Sequence, residues 1–243
     1  MRMLTFSKRC AKEILRDPLT VAFGLGFPLV LLLLLSAIQA NVPVSLFEIE
    51  SLTPGITVFG LSFITLFAAT LVARDRESAF LQRLYTSPLK ASDFIIGYML
   101  PLLPIAIAQG LICYLTAIFL GMPVTFNILY AVLMIIPFAI FQIALGLLFG
   151  SILNVKQVGG ICGALLTNLT AWLSGVWFDL DLVGGIFKKI ANVLPYVHAV
   201  ELERAVICGD FSALTPHIYI VAGYAVFAVI GAVVLFLRQM KNA

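Results

Sequence analysis

The chain has 243 residues, of which 62% are hydrophobic and only 11% are charged. Soluble domains are about half apolar and about one quarter charged, so this composition excludes a water-soluble globular protein and indicates that the lipid bilayer is the main solvent. The formal net charge of +3 is too small and too dispersed to predict a nucleic-acid partner.

The chain opens with a basic, amphipathic segment, residues 1–17, in which five lysines and arginines are interspersed with apolar residues. This composition predicts an interfacial helix that lies flat on the cytoplasmic surface of the membrane, with its basic side chains reaching lipid phosphates. No small-residue cleavage site follows, so we expect the next apolar run to stay as the first span. Pro18 lies at the turn into the membrane.

Apolar stretches that are long enough to cross a hydrocarbon core, which takes about 20 helical residues, then recur along the chain. They lie near residues 20–40, 53–73, 94–120, 126–151, 157–178 and 215–237. We therefore predict an all-α integral membrane protein with six transmembrane helices, which forms a single transmembrane domain over residues 1–243.

A charged stretch, residues 74–89, follows the second predicted span. Within it Phe80, Leu81 and Leu84 make a narrow apolar stripe with helical spacing, and Ser87-Pro88 ends the pattern. The stretch therefore predicts a short helix outside the membrane.

The segment 182–211 is too polar at its end to be a further span. It contains an apolar piece, a break at Leu194-Pro195 and a short helical stretch that begins at His198. This pattern predicts re-entrant helices at the outer face of the membrane.

The distribution of basic residues predicts the orientation. Six spans place the lysines and arginines of residues 1–17, the 74–90 loop and residues 238–241 on one side, while most acidic residues gather on the other. By the positive-inside rule, both termini are cytoplasmic, and we expect a multi-pass protein of the cell (inner) membrane.

The sequence gives little support to an enzymatic function. No GxxxxGK[ST] phosphate loop is present, so we predict that the chain does not hydrolyse ATP by itself and binds no cofactor of its own. The predicted spans hold no carboxylate or base in their interior, which argues against a proton-coupled carrier, a protease or a transferase. The four cysteines form no CxxC pair, which favours unpaired apolar thiols over a disulfide or metal framework.

His198, Glu201 and Glu203 are the residues that come closest to a metal or proton site. On a helix His198 and Glu201 share a face, whereas Glu203 points elsewhere. We favour a solvated helix with a Glu201–Arg204 pair at i, i+3, and we predict no metal site here.

Threonines and asparagine in the second and fifth spans, beside a stripe of phenylalanines in the second, leave two interpretations open. These side chains either line a path for an amphipathic molecule or bond and pack between helices.

Three sequence elements occur in a characteristic order. The basic N-terminal segment ends in Arg16-Asp17-Pro18, the charged stretch ends in Ser87-Pro88-Leu89, and Ser174-Gly175-Val176-Trp177-Phe178 precedes Leu194-Pro195-Tyr196-Val197-His198-Ala199-Val200-Glu201. In this order and spacing, over nearly the whole chain, they resemble the membrane subunit of a type-2 ABC transporter, the permease half of bacterial drug and polysaccharide exporters.

The resemblance implies two permease subunits per pore, identical or related, and two separate cytoplasmic ABC ATPase subunits that bind ATP and Mg. It makes the loop after the second span the coupling helix that contacts the ATPase. The coupling residues it implies are Arg74, Asp75, Arg76, Glu77, Phe80, Leu81, Arg83 and Leu84. It also places a cavity between the second and fifth spans of the two halves of the pore, with Thr57, Phe63, Thr65, Thr167, Asn168 and Thr170 as candidates for its lining.

The function that the resemblance implies is ATP-driven export of a small amphipathic or drug-like compound. The loop between the first two spans is only about ten residues long, which favours such an exporter over a machine with an extracellular domain. Asp179 stands where the family often has proline, so the outer turn can begin differently. Export of a lipid-linked polysaccharide, and a non-transporting scaffold or sensor subunit, are the alternatives.

Overall fold

The computed structural model describes residues 2–43, 47–78, 80–85 and 90–242. Within these ranges every regular element is a helix. The first half of the chain contains α1 (Arg2–Arg16), α2 (Pro18–Val21), α3 (Phe27–Gln39), α4 (Ile49–Glu77), α5 (Phe80–Tyr85) and α6 (Ala91–Phe119). The second half contains α7 (Asn127–Ile152), α8 (Val155–Val158), α9 (Thr167–Leu173), α10 (Leu180–Val183), α11 (Gly185–Val193), α12 (Pro195–Cys208) and α13 (Leu214–Asn242). Two π-helical segments, Ala22–Gly26 and Gly159–Leu166, run directly into α3 and α9.

Five helical stretches in the described ranges are long and apolar enough to cross a membrane. They are Ala22–Gln39, Ile49–Glu77, Ala91–Phe119, Asn127–Ile152 and Leu214–Lys241. They coincide with the first, second, third, fourth and sixth predicted spans, which confirms an all-helical protein with several helices that could span a membrane. The predicted span near 157–178 falls on α8, the second π-helical segment and α9, and its crossing stays a prediction.

α4 is the central helix of the bundle. Most of its residues are buried, and it packs most extensively against α7. A Cβ at Gly146 of α7 would lie 2.5 Å from the carbonyl oxygen of Thr65, and one at Gly150 would lie 2.5 Å from that of Ala69. Because glycine alone lacks a Cβ, these two positions let the backbones of α4 and α7 touch.

α1 packs along α6. Its buried face carries Phe6, Cys10 and Ile14, and the Phe6 ring meets Tyr98 edge to face with the ring centroids 4.9 Å apart. Gly97 lies directly against the same ring and leaves room for it. Much of the apolar face that the sequence assigns to the membrane surface therefore contacts protein, and the interfacial position of residues 1–17 stays a prediction.

The stretch 182–211 contains the end of α10 and all of α11 and α12. α12 begins at Pro195, where the sequence predicts a break. α12 packs against α4, α7 and α13. Its return into the membrane stays a prediction. Cys208 at the end of α12 is exposed, whereas the other three cysteines of the chain, Cys10, Cys113 and Cys162, are buried, and all four are free.

Candidate functional site

Asp75 is a buried carboxylate in the last turn of α4. Its side chain is 2% exposed, and its two oxygens accept hydrogen bonds from the two terminal nitrogens of Arg9, each 2.5 Å long. The hydroxyl of Tyr98 donates a further bond of 2.8 Å. A bidentate pair between a guanidinium and a carboxylate is geometrically specific and about twice as strong as a bond between neutral groups. Asp75 thus fixes α1 and α6 against the end of α4.

Arg9 extends these contacts to α5. Its guanidinium lies 4.2 Å from the ring centroid of Phe80 and 2.8 Å from the carboxylate of Glu13. Burial lowers the pKa of Arg9, but the hydrogen bonds and the charge of Asp75 outweigh burial and raise the pKa above its ordinary value. Arg9, Asp75, Phe80 and Tyr98 form what we call the Asp75 cluster, which joins α1, α4, α5 and α6.

The next two residues of α4 tie its end to neighbouring helix ends. Arg76 donates hydrogen bonds to the carbonyl oxygens of Ser151 and, at 2.5 Å, of Leu153. Glu77 accepts a hydrogen bond of 2.9 Å from the backbone N–H of Val155. These bonds satisfy backbone groups that the end of α7 and the start of α8 leave without an intrahelical partner.

The structure divides the predicted coupling residues between two helices. Arg74, Asp75, Arg76 and Glu77 end α4, whereas Phe80, Leu81, Arg83 and Leu84 belong to α5. Leu81 is fully buried, Phe80 is half-buried and Arg83 is exposed. The side chain of Leu84 and residues 79 and 86–89 lie outside the described part of the chain. The short helix expected over 74–89 is, where it is described, the last turn of α4 followed by α5.

The candidate path residues are mostly covered within the chain. Thr57, Phe63, Thr65, Thr167 and Thr170 are buried, whereas Asn168 is exposed. Thr65 donates a hydrogen bond to α7, with the backbone oxygen of Gln142 at 2.8 Å and its side-chain oxygen at 2.9 Å. Asn168 donates to the carbonyl oxygen of Ala164, at 2.8 Å. For Thr65 the contacts favour bonding between helices, and a substrate path along these residues stays a prediction.

A polar cavity of about 570 Å³ lies at the opposite end of α4, bordered by α10, α11 and α12. Arg204 reaches across its wall and donates hydrogen bonds to Glu201 at 2.9 Å and to the carbonyl oxygens of Ser51 and Gly175 at 3.3 Å. The predicted Glu201–Arg204 pair is therefore present, and Arg204 links the start of α4 to the turn after α9.

The expectation that Glu203 lies on a solvated helix is wrong. Its side chain is 1% exposed, and its Oε2 accepts a hydrogen bond of 2.6 Å from the hydroxyl of Tyr114 in α6. Burial raises the pKa of Glu203 to about 8, and the bond from Tyr114 offsets that rise only in part. α12 turns this residue into the bundle because it packs between α4, α7 and α13.

The sequence interpretation missed several residues of these sites. It assigned Arg9 to lipid phosphates, and it gave no role to Tyr98 or Tyr114, because their partners are far away in the chain. Gly146 and Gly150 had a visible signal, since glycines four residues apart in an apolar stretch are typical of close helix packing.

A family model described as ABC-2 type transporter matches residues 1–208 of the chain. The chain belongs to this family. Among curated relatives, ABC transporter G family member 20 from Dictyostelium discoideum is 23% identical over 201 residues, which cover 80% of this chain and 27% of the relative. The chain thus spans about a quarter of the length of that relative.

The ABC-2 type match covers the whole Asp75 cluster and the polar cavity lined by α10, α11 and α12, and it ends with α12. Family membership and several apolar helices together make this a multi-pass membrane protein of the ABC transporter class and support a permease role.

Proposed function

We propose that the chain is the permease subunit of an ATP-driven exporter that moves a small amphipathic or drug-like compound outward across the cell membrane, with both termini in the cytoplasm. The observation that carries the proposal is the ABC-2 type match over residues 1–208. The short connection between α3 and α4 supports a compact exporter, because residues 40–48 leave no room for an extracellular domain at that point.

In this proposal, ATP and Mg bind to separate ABC ATPase subunits, and a second permease subunit completes the pore. α5 and the exposed face of α1 form the surface that meets the ATPase. The exposed basic residues of this surface are Lys8, Lys12, Arg16 and Arg83. A partner groove with acidic residues would therefore be complementary to it.

The Asp75 cluster then carries a displacement of that surface into the bundle. α5 contacts Arg9 through the Phe80 ring, and Arg9 binds Asp75 through two short bonds. Asp75 continues directly into the buried helix α4, and Tyr98 connects it to α6. Because each link is a close contact between partly or fully buried groups, α1 and α5 cannot shift far without moving the ends of α4 and α6.

Reversing the charge of Arg83 is the experiment that tests the docking surface. Arg83→Glu is expected to weaken association with a co-expressed ABC ATPase subunit by about tenfold or more, because it places a negative charge against the acidic groove proposed for that subunit. The measurements are co-purification of the two proteins and vanadate-sensitive ATP hydrolysis after reconstitution into lipid nanodiscs.

Arg238→Glu is the matched control, since Arg238 is also exposed but lies on α13 rather than on α5 or α1. The neighbouring Gln239 contacts Ser151 at the end of α7, so Arg238 lies near the same end of the bundle as Arg76. This variant is expected to keep its ATPase partner and its turnover. Full ATPase binding and full turnover in Arg83→Glu would rule out α5 as the docking element, and failure of the unmodified chain to bind any ABC ATPase would contradict the permease role.

A further inference from the structure

Glu203 and Tyr114 form a buried pair away from the Asp75 cluster. Tyr114 lies five residues before the end of α6 at Phe119, which is about 7.5 Å along the helix axis. Both side chains belong to residues that are 1% exposed, and the bond of 2.6 Å between them ties α12 to α6. The carboxyl group of Glu203 is thus held inside the bundle rather than at its surface.

The second oxygen of this carboxyl group, Oε1, has no hydrogen-bond partner among the described residues. An ionised carboxylate in apolar surroundings needs several donors or a cation to replace the water it has lost. Glu203 has one donor, the neutral hydroxyl of Tyr114. The geometry therefore suits a neutral carboxyl group far better than an ionised one.

No cation in the described part of the chain contacts Glu203. The adjacent guanidinium of Arg204 is directed to Glu201, Ser51 and Gly175. The helices that contact α12, together with α6, carry few titratable groups towards this end of the bundle: Cys113 and Tyr114 on α6, Glu50 on α4, Tyr130 on α7, Lys188 and Lys189 on α11, and His217, Tyr219 and Tyr224 on α13. Lys188 is paired with Asp181, and Lys189 is exposed. Glu50, Tyr130 and Tyr219 are exposed, and the bond from Tyr114 is the one interaction that favours ionisation of Glu203.

We propose that Glu203 and Tyr114 form a proton-binding site, in which the carboxyl group of Glu203 carries a proton at neutral pH for as long as α12 lies against α6. The hydroxyl of Tyr114 donates to Oε2, and the bound proton occupies the otherwise unpartnered Oε1. Release of the proton to solvent requires water to reach the carboxylate, so deprotonation favours separation of α12 from α6.

This site makes the stability of the bundle depend on pH with a defined sign. The pKa of Glu203 rises from an ordinary value of 4.5 to about 8 in the folded chain. Between these two pKa values the folded chain binds more protons than the unfolded chain, so the free energy of unfolding falls as pH rises. Above the higher pKa this group causes no further fall. The folded-to-unfolded ratio is expected to fall by up to about tenfold per pH unit in this window.

The test compares unfolding of the purified full chain and of Glu203→Gln in detergent between pH 5.5 and 8.5. Glutamine keeps the size of the side chain and still accepts a bond from Tyr114, but it cannot ionise. The difference between the two pH profiles is expected to show the loss described above, whereas the control Glu50→Gln, which removes an exposed carboxyl group, keeps the slope of the unmodified chain. Parallel profiles for the unmodified chain and Glu203→Gln would overturn the proposal.

A second measurement uses the unmodified chain and does not depend on the folding of any variant. With isotope-labelled glutamate, infrared spectroscopy is expected to show the carbonyl stretch of a neutral glutamic acid at pH 7 that disappears towards pH 9. In Tyr114→Phe that band is expected to persist to higher pH, because the carboxylate loses its one donor. Absence of the band at pH 6 would show that the carboxyl group of Glu203 is ionised. Loss of the band on addition of sodium ions at constant pH would show that the site binds a cation instead of a proton. Either result would contradict the proposal.

Discussion

Asp75→Asn is expected to abolish most of the ATPase activity of the proposed permease–ATPase complex and to lower the free energy of unfolding of the chain by about 2 kcal/mol. Asparagine presents one oxygen and an NH₂ group, so it cannot accept both bonds from Arg9, and the guanidinium is left facing an uncharged donor. The magnitude lies between those of exposed and fully buried ion pairs, because Asp75 is 2% exposed and Arg9 is 37% exposed. The measurements are chemical unfolding in detergent and ATP turnover in the reconstituted complex.

A graded series separates charge from geometry at the same pair. Arg9→Lys keeps the charge but loses the bidentate contact with Asp75 and the guanidinium contact with the Phe80 ring, so its effect is expected to fall between the unmodified chain and Asp75→Asn. Asp181→Asn makes the same chemical change at an exposed pair with Lys188, whose side chains are 68% and 41% exposed, and it is expected to cost less than about 1 kcal/mol. Equal effects of Asp75→Asn and Asp181→Asn would show that the Asp75 cluster has no special role.

Gly146→Ala is expected to destabilise the bundle strongly. The new Cβ would lie 2.5 Å from the carbonyl oxygen of Thr65 and 2.6 Å from the Cβ of Ala68, and neither is the flexible end of a side chain. α4 and α7 must therefore move apart along their largest contact, with a loss of unfolding free energy of about 1–3 kcal/mol. Thermal unfolding in detergent and the yield of monodisperse protein check this expectation.

Gly223→Ala is the matched control for the glycine substitution. Gly223 lies within α13, and a Cβ there would meet no atom within 4 Å. Alanine favours helix over glycine by about 1 kcal/mol, so this variant is expected to be neutral or slightly stabilised. A Gly146→Ala chain as stable as Gly223→Ala would mean that α4 and α7 are not in backbone contact.

The helical class and most spans could be predicted because they depend on local composition. The thickness of the bilayer alone sets the length of a span at about 20 apolar residues. Five of the six predicted spans coincide with helices of sufficient length and hydropathy. The stretch near 157–178 is less clear-cut because its helix changes to π-helical hydrogen bonding over Gly159–Leu166. Glycines and polar residues there weaken both the apolar signal and the regular α-helical repeat.

The buried charges could not be predicted in the same way. Asp75 and its partner Arg9 are 66 positions apart, and Glu203 and Tyr114 are 89 positions apart. Within its own charged stretch each acidic residue resembles a solvated side chain, and only the folded chain brings its partner within reach. The predicted coupling and path residues were chosen by resemblance, so their roles depend on partners that one sequence does not contain.

The uneven burial of the cysteines leaves one natural thiol, that of Cys208, accessible to a labelling reagent. Burial raises the pKa of Cys10 to about 12, with a further rise from the nearby charge of Asp75, so its thiol stays protonated and unreactive. Cys113 and Cys162 are also buried, whereas Cys208 is exposed at the end of α12. A membrane-impermeant maleimide applied to sealed cells or inverted vesicles would therefore modify a single natural site, and the side from which labelling succeeds gives the sidedness of α12 without any engineered substitution.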